Sequence, residues 1–248
     1  MVKPPIVTPE EDITTIGEVF GAPLVVKGRT WFPLTQIVTW GFLTQWASNR
    51  NPGRSWQGNL VASAFSTVVL LGSEWCHNLA HAAAAKLVGR PVDAIRITWG
   101  MPLLVYHDVN DPTVTPNQHL IRASGGPVFN ALLLPFAWLG QRLTQTGSIL
   151  RDVADTAVRM NAFLCTVSLL PIPGVDGGPL LKWSLVKNGW SAKDADETVR
   201  KVNWGVGGAA ATTSAAAFRR HRPIIGVLCA MIAGVALAIA TKLLREQH

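Results

Sequence analysis

The chain of 248 residues is strongly apolar, with 48% hydrophobic residues, 15% charged residues and a mean hydropathy of +0.26. This composition excludes an ordinary soluble domain and indicates a membrane protein, because a spanning helix needs about 20 mostly apolar residues. The net charge is +7, but the lysines and arginines lie between apolar stretches and form no basic patch interleaved with aromatic residues. We therefore expect the lipid bilayer, and no nucleic acid, as the partner of these charges.

The cysteines and the N-terminal residues bear on three further features: disulfides, thiolate metal sites and a signal peptide. Cys76, Cys165 and Cys229 lie in apolar stretches without paired spacing, so we expect neither disulfides nor a thiolate metal site, and we expect Cys76 to be buried. Residues 1–15 are polar and contain three prolines, which is unlike a signal peptide. Membrane insertion is then expected to depend on internal helices.

The first part of the chain predicts an extended segment followed by two helices. Residues 22–26 form a β-type run within an N-terminal extended segment at 1–30. A first helix is predicted at 31–46 and a second at 59–88, where a Gly-Arg-Pro sequence ends it.

The remainder predicts a hairpin and further helices. β-type residues broken by Gly100 and Pro102 indicate a β-hairpin at the membrane edge over 92–107. Helices are predicted at 119–139, 153–170 and 224–241, with an amphipathic surface helix at 179–202. Residues 202–218 are uncharged and rich in Ala and Gly, and they are compatible either with a further span or with a helix lying under the bundle.

These elements predict an all-α polytopic membrane protein with five to six transmembrane helices, a three-helix metal-binding core and short membrane-edge β-strands. Three parts are expected along the chain. They are an N-terminal extended cytoplasmic segment at 1–30, a membrane core with the metal site at 31–190, and C-terminal membrane helices at 191–248.

The distribution of basic residues predicts the orientation in the membrane. The first loop carries only Arg50 and Arg54. Eight basic residues lie between the fourth helix and the helix at 224–241: Lys182, Lys187, Lys193, Arg200, Lys201, Arg219, Arg220 and Arg222. Because cytoplasmic loops are enriched in Lys and Arg, we expect an integral, multi-pass protein whose N-terminus and metal site lie toward the cytoplasmic side.

The second predicted helix contains the strongest candidate for chemistry, residues 73–81 (SEWCHNLAH). Ionisable residues inside a span are costly and are functional candidates for that reason. His77 and His81 lie about 40° apart around the helix and one turn apart along it. This spacing allows two imidazoles to bind one metal ion.

A metal site needs a further ligand, and Asp176 is the candidate. Catalytic zinc takes three protein ligands and leaves a fourth position for water. Asp176 follows the proline break in residues 171–178 (PIPGVDGG), where the glycines permit close backbone approach. Asp176 can also cap the helix that follows it.

Three motifs in this order resemble the site-2 protease family of intramembrane zinc metallopeptidases. They are the H-x-x-x-H pair at His77 and His81, the sequence GPVFN at 126–130, and Asn161 followed by LLPIPGVDGG at 169–178.

The resemblance implies specific roles for these residues. It implies Zn²⁺ bound by His77, His81 and Asp176, and cleavage of a membrane-spanning protein substrate near the cytoplasmic face. It also implies a substrate-handling or polar-support role beside the site for Asn130, to which we add Asn161.

One residue departs from the motif of that family. Its metal motif is H-E-x-x-H, in which the Glu takes a proton from the zinc-bound water and later delivers it to the leaving amine. Asn78 stands at that position here. A neutral amide cannot act as that base, and losing general acid–base catalysis typically costs about 10²–10⁴-fold in rate.

Glu74 is the nearest replacement for the missing carboxylate. It lies about 60° from His77 on the helical wheel, one turn toward the N-terminus. Three roles are open: a displaced base, an extra metal ligand in a Glu-x-x-His arrangement, or a hydrogen-bond partner that holds the tautomer of His77.

Other polar residues are expected to face water or lipid. His107 and His119 flank a polar loop and are predicted to be solvated. His221 belongs to the basic run at 219–222, which predicts a headgroup contact or a topology signal.

We expect a site-2-protease-like intramembrane metallopeptidase with weak or absent proteolytic activity, able to bind a transmembrane partner. One alternative is an active intramembrane protease that uses Glu74 as a displaced base. Another is a metal transporter or a different metal-dependent membrane protein, which the Glu74-x-x-His77 spacing prompts.

Overall fold

The computed structural model of the chain describes residues 13–108, 110–111 and 113–241. Seven α-helices occur in that part: α1 (Leu34–Arg50), α2 (Trp56–Leu87), α3 (Pro116–Leu143), α4 (Ile149–Thr166), α5 (Gly177–Lys187), α6 (Ala192–Arg219) and α7 (Pro223–Ala240). Four strands accompany them: β1 (Ile13–Val19), β2 (Ala22–Lys27), β3 (Ala94–Thr98) and β4 (Met101–Val105). Residues 1–12 and 242–248 of the predicted terminal parts lie outside the described residues.

The described helices confirm a helical membrane fold with short strands. Three of them, α2, α3 and α7, are long and apolar enough to cross a membrane by length and composition. Among the described helices, α1, α4 and α6 do not meet that criterion. The predicted number of five to six spans therefore stays a prediction.

The chain forms two compact units. The first holds the described residues of Met1–Val109 and Ser124–Val167, and the second holds those of Asn110–Ala123 and Ser168–His248. The boundary between the units passes through α3, whereas the sequence predicts three parts with other boundaries. That three-part division stays a prediction.

A four-stranded sheet belongs to the first unit. Its strand order is β1-β2-β3-β4, with antiparallel outer pairs and a parallel central pair in which Leu24 stands opposite Ile95. β3 and β4 are the hairpin predicted at 92–107, and β2 coincides with the predicted β-type run.

The C-terminal half of α2 packs on this sheet. Ala82 and Ala85 of α2 form one buried cluster with Ala22, Val92 and Ile95. Small side chains let the helix lie close to the strands, and burial of apolar area is the main stabilising contribution. The sheet therefore supports the segment of α2 that carries the two histidines.

The turn between β3 and β4 is tied to two helices. The carbonyl oxygen of Gly100 accepts hydrogen bonds from Gln36 Nε2 of α1 at 2.8 Å and from Trp75 Nε1 of α2 at 3.0 Å. Gly100 has a φ of +85°, and an added Cβ would lie 2.1 Å from Gln36. Glycine is therefore favoured there by its backbone conformation, and a Cβ would also displace the Gln36 amide that makes the first of these hydrogen bonds.

Local signals explain where α2 begins and ends. The Ser55 side chain accepts a hydrogen bond from the Gly58 amide and caps the N-terminus, which starts the helix three residues before the predicted position 59. The helix ends before Gly89, whose φ is +71°. This left-handed residue is a common helix terminator and confirms the predicted end.

In the second unit, α6 and α7 form a helical hairpin. Residues 202–218, left undecided by the sequence, are part of the continuous helix α6. The basic residues Arg219, Arg220 and Arg222 lie at the turn of the hairpin, whereas Arg200 and Lys201 lie toward its other end. Five of the eight basic residues counted for orientation therefore lie at two different ends of the hairpin, and the cytoplasmic placement stays a prediction.

The exposure of Cys76 and of residues 179–202 differs from the sequence expectation. Cys76 is exposed, although its apolar neighbours suggested burial. The predicted surface helix at 179–202 is two helices, and Lys182 and Trp183 within it are buried. Lys182 avoids the cost of an unpaired buried charge by pairing with Asp196 at 2.5 Å.

Candidate metal centre

α2 brings His77 and His81 together on its buried face. The two side chains are 6% and 5% exposed, and their Nε2 atoms lie 3.2 Å apart. Two nitrogens that each bind a tetrahedral zinc at about 2.0–2.1 Å stand about 3.3–3.4 Å apart. The spacing of these two ring nitrogens therefore fits a shared zinc ion.

α3 covers the two imidazoles through glycine. A Cβ added to Gly126 would lie 2.4 Å from His81 Nε2 and 2.6 Å from His77 Nε2, and one added to Gly125 would lie 2.7 Å from the Ala80 carbonyl oxygen. Only glycine permits this approach of two helices. The sequence motif included Gly126 without a structural reason for it. Two adjacent glycines inside a helix, Gly125 and Gly126, are the sequence feature that could have predicted a close approach of another helix.

Asn130 holds the ring of His77. Its Oδ1 lies 2.6 Å from His77 Nδ1, and Asn130 is 0% exposed. Because an amide oxygen only accepts, Nδ1 of His77 donates, which leaves the lone pair of a neutral ring on Nε2. Such a contact fixes the tautomer and orientation of a metal-binding histidine.

The hydrogen-bonded chain continues into α4 and back to α2. Asn130 Nδ2 donates to Asn161 Oδ1 at 2.7 Å, and Asn161 Nδ2 donates to Ser73 Oγ at 3.3 Å. Asn161 and Ser73 are both buried. Three helices thus join in orienting one imidazole. Ser73 is the first residue of the candidate segment at 73–81, but no role was predicted for it, because a serine in a helix carries no motif.

The amide of Gly126 contacts the second imidazole. It donates a long hydrogen bond of 3.4 Å to Nδ1 of His81. With Nδ1 accepting, the ring proton of a neutral His81 resides on Nε2. A metal ion at that Nε2 would therefore displace or relocate one proton, as is usual when histidine binds a metal.

Asn78 and Glu74 contact each other. Nδ2 of Asn78 donates to Glu74 Oε1 at 3.2 Å and to the Glu74 carbonyl oxygen at 3.0 Å. The Glu74 carboxylate thus accepts a hydrogen bond from Asn78. The contact with His77 Nδ1, which was one of the roles considered for Glu74, is made by Asn130. Asn78, at the position of the base, and Glu74, the candidate to replace that base, are therefore joined by a hydrogen bond.

Asp176 belongs to the second unit and lies at the N-terminus of α5. Its side chain forms no hydrogen bond that caps this helix, so the capping role considered from sequence is not the one it has. A Cβ added to Gly177 would lie 2.2 Å from the Leu169 carbonyl oxygen, and one added to Gly178 would lie 2.5 Å from that of Ile172. The two glycines therefore fold the preceding chain tightly against the start of α5.

His107 and His119, which were both predicted to be solvated, differ in their surroundings. His107 is exposed as expected. His119 is 7% exposed and its ring stacks on Trp183 with centroids 3.6 Å apart, so its predicted solvation was wrong. The cause is the packing of α3 on α5 within the second unit, which a single-helix pattern does not reveal.

Replacing Gly126 with alanine is expected to remove metal from the purified chain. The added methyl group would overlap both Nε2 atoms, and overpacking of this kind typically costs about 1–3 kcal/mol. Metal per chain, measured by inductively coupled plasma mass spectrometry, reports the effect.

Gly140→Ala is the matched control, because Gly140 lies on the same helix with nothing within 4 Å of an added Cβ. It should keep both the metal and the melting temperature. Equal metal content in the two variants would contradict the close approach of α3 to the imidazoles.

Comparison with known proteins gives the fold a precedent. No protein-family model matches the chain, and no curated protein matches it by sequence. Among solved structures, it is similar to a site-2 protease from Methanocaldococcus jannaschii, with a TM-score of 0.56 and 12% sequence identity over 95% of this chain and 97% of that one. At this identity the likeness concerns the fold alone. The chain therefore has the fold of a site-2 protease.

Proposed function

We propose that this chain is a site-2-protease-like membrane metalloprotein that holds zinc through His77, His81 and Asp176. It binds a transmembrane protein while cleaving it weakly or not at all. The observation that carries the proposal is the pairing of Asn78 with Glu74 beside an intact pair of converging imidazoles.

The donor set supports the metal. Two imidazoles and one carboxylate are three donors that suit zinc and leave a fourth position open. Asn130 leaves the His77 lone pair on Nε2, the atom that faces His81. Bound zinc supplies a Lewis acid that polarises a carbonyl group and acidifies a water molecule.

The missing base supports weak or absent cleavage. The amide of Asn78 donates hydrogen bonds and cannot take up a proton. Its Nδ2 is directed to Glu74, so the residue at the base position is engaged in a contact along α2. A chain that retains ligands and lacks the base can still hold a peptide carbonyl without hydrolysing it.

The second candidate is an active protease that uses Glu74. The observation in its favour is that Glu74 Oε1 lies one hydrogen bond, 3.2 Å, from the residue at the base position. This alternative predicts that Glu74→Gln abolishes cleavage while the metal content stays unchanged.

The experiment that separates these functions uses the purified full chain in proteoliposomes with a panel of single-span membrane peptides. The proposal expects a peptide to be retained by the protein while its cleavage stays near background. Robust chelator-sensitive cleavage by the unmodified chain would contradict it and favour the Glu74 mechanism. More than one metal ion per chain would favour the transporter reading.

A further inference from the structure

The turn between α6 and α7 concentrates positive charge. Residues 219–222 read Arg-Arg-His-Arg, and all four are exposed. Within the described residues, no carboxylate forms an ion pair with Arg219, Arg220 or Arg222. This basic turn therefore carries three guanidinium groups that are available to an external anion.

The two helices that meet at the basic turn run antiparallel along the whole length of α7. Near the turn, Ser214 Oγ donates to the Gly226 carbonyl oxygen at 2.7 Å. At the far end, Arg200 Nη1 donates to the Ala240 carbonyl oxygen at 2.8 Å. α6 therefore accompanies α7 from one end to the other.

The uncharged length of this hairpin fixes the level of the basic turn in a membrane. α7 has 18 residues and no charged side chain, and it spans about 27 Å at 1.5 Å per residue. Residues 202–218 of α6 are also uncharged. Since α7 is long and apolar enough to cross a hydrocarbon core about 30 Å thick, the charges next to its first residue would lie at the level of the lipid headgroups.

Apolar side chains border the basic turn on both sides. Phe218, Ile224 and Ile225 are 48%, 40% and 44% exposed. Apolar groups immediately beside arginines suit the boundary between acyl chains and headgroups, where one part of a surface is dry and the other polar.

The backbone of the basic turn is held in place. The Arg220 amide donates to the Ala216 carbonyl oxygen at 3.1 Å, and the Arg222 amide donates to that of Ala217 at 2.9 Å. A Cβ added to Gly226 would lie 2.8 Å from the Phe218 ring, so the start of α7 fits closely against the end of α6. The arginines thus extend from a fixed scaffold, which lowers the ordering cost of binding an anion.

We propose that the basic turn, residues 219–222, binds the phosphate group of anionic phospholipids. Guanidinium groups pair with phosphate oxygens through two parallel hydrogen bonds, while Phe218 and Ile224 contact the acyl chains of the same lipids. The site is independent of the metal centre and of any cleavage.

The test uses the full chain in nanodiscs of phosphatidylcholine with or without phosphatidylglycerol, and it counts co-purifying phosphatidylglycerol by native mass spectrometry. A variant with Arg219→Gln, Arg220→Gln and Arg222→Gln removes the charges of the basic turn. We expect at least about ten-fold less retained phosphatidylglycerol, since each basic residue near an anionic surface contributes about five-fold. Retention of phosphatidylcholine should not change.

A matched variant with Lys86→Gln, Lys187→Gln and Lys193→Gln removes the same charge from other exposed positions and should retain phosphatidylglycerol as the unmodified chain does. Equal loss in both variants would overturn the proposal in favour of general charge attraction. Full release of lipid by inorganic phosphate would overturn it in favour of a soluble anion. The melting temperature, together with an Arg→Lys version of the triple variant that keeps the charge, separates lost binding from lost folding.

Discussion

A chain carrying both Glu74→Gln and Asn78→Glu is expected to cleave a membrane-spanning substrate about 10²–10⁴-fold faster than the unmodified chain. Asn78→Glu places a carboxylate directly after His77, a proposed ligand, where a general base could take a proton from metal-bound water. Glu74→Gln supplies an amide that can donate to this new carboxylate, so the hydrogen bond between the two positions is kept with its direction reversed. Release of a fluorescent fragment from the substrate measures the rate.

The single variant Asn78→Glu should gain less than the double variant. It sets two carboxylates one hydrogen bond apart, because Asn78 Nδ2 and Glu74 Oε1 are separated by 3.2 Å. Neighbouring carboxylates cannot both ionise readily, so one of them holds a proton and the new group is a poorer base.

Glu74→Gln alone is the control that separates the two proposed functions. Under the proposal it stays as inactive as the unmodified chain, with equal metal content. Failure of the double variant to cleave any substrate of the panel, with metal retained, would show that Asn78 is not what limits activity.

Replacing Gly177 with alanine is expected to lower both the melting temperature and the metal content. The added Cβ would lie 2.2 Å from the Leu169 carbonyl oxygen and 2.3 Å from that of Leu170. Backbone atoms cannot move aside as a side chain can. We therefore expect a loss of stability at or above the value of about 1–3 kcal/mol that is typical of one extra methyl group in a packed core. The residue directly before it is Asp176, the proposed third ligand.

Gly205→Ala serves as the comparison in the same unit, because an added Cβ there meets nothing within 4 Å. Alanine in a helix interior is favoured over glycine by about 0.5–1 kcal/mol, so this variant should melt at the same temperature or higher. An alanine at 177 that leaves melting temperature and metal unchanged would contradict the tight fold of the chain before α5.

The sequence predicted helix ends that are marked by strong helix-terminating residues. Gly89 ended α2 where expected, because the left-handed conformation it adopts stops a helix whatever surrounds it. The pair His77 and His81 was predicted to lie on one face, and the structure places their Nε2 atoms 3.2 Å apart. A helical period fixes such neighbours without reference to tertiary structure.

Features that depend on contact between helices could not be predicted in the same way. Ser73 joins the hydrogen-bonded chain only because α4 presents Asn161 to it. His119 is buried only because Trp183 of another helix covers its ring. In a membrane protein both faces of a helix are apolar, so hydrophobic periodicity does not separate the lipid-facing side from the packed side.

Zinc content of the purified full chain tests the central claim most directly. We expect about one zinc ion per chain, and we expect His77→Ala to lose it because one of the converging imidazoles is removed. His107→Ala, which changes an exposed histidine, should retain the ion. An unmodified chain without bound metal, or a His77→Ala variant that keeps it, would contradict the proposed metal centre.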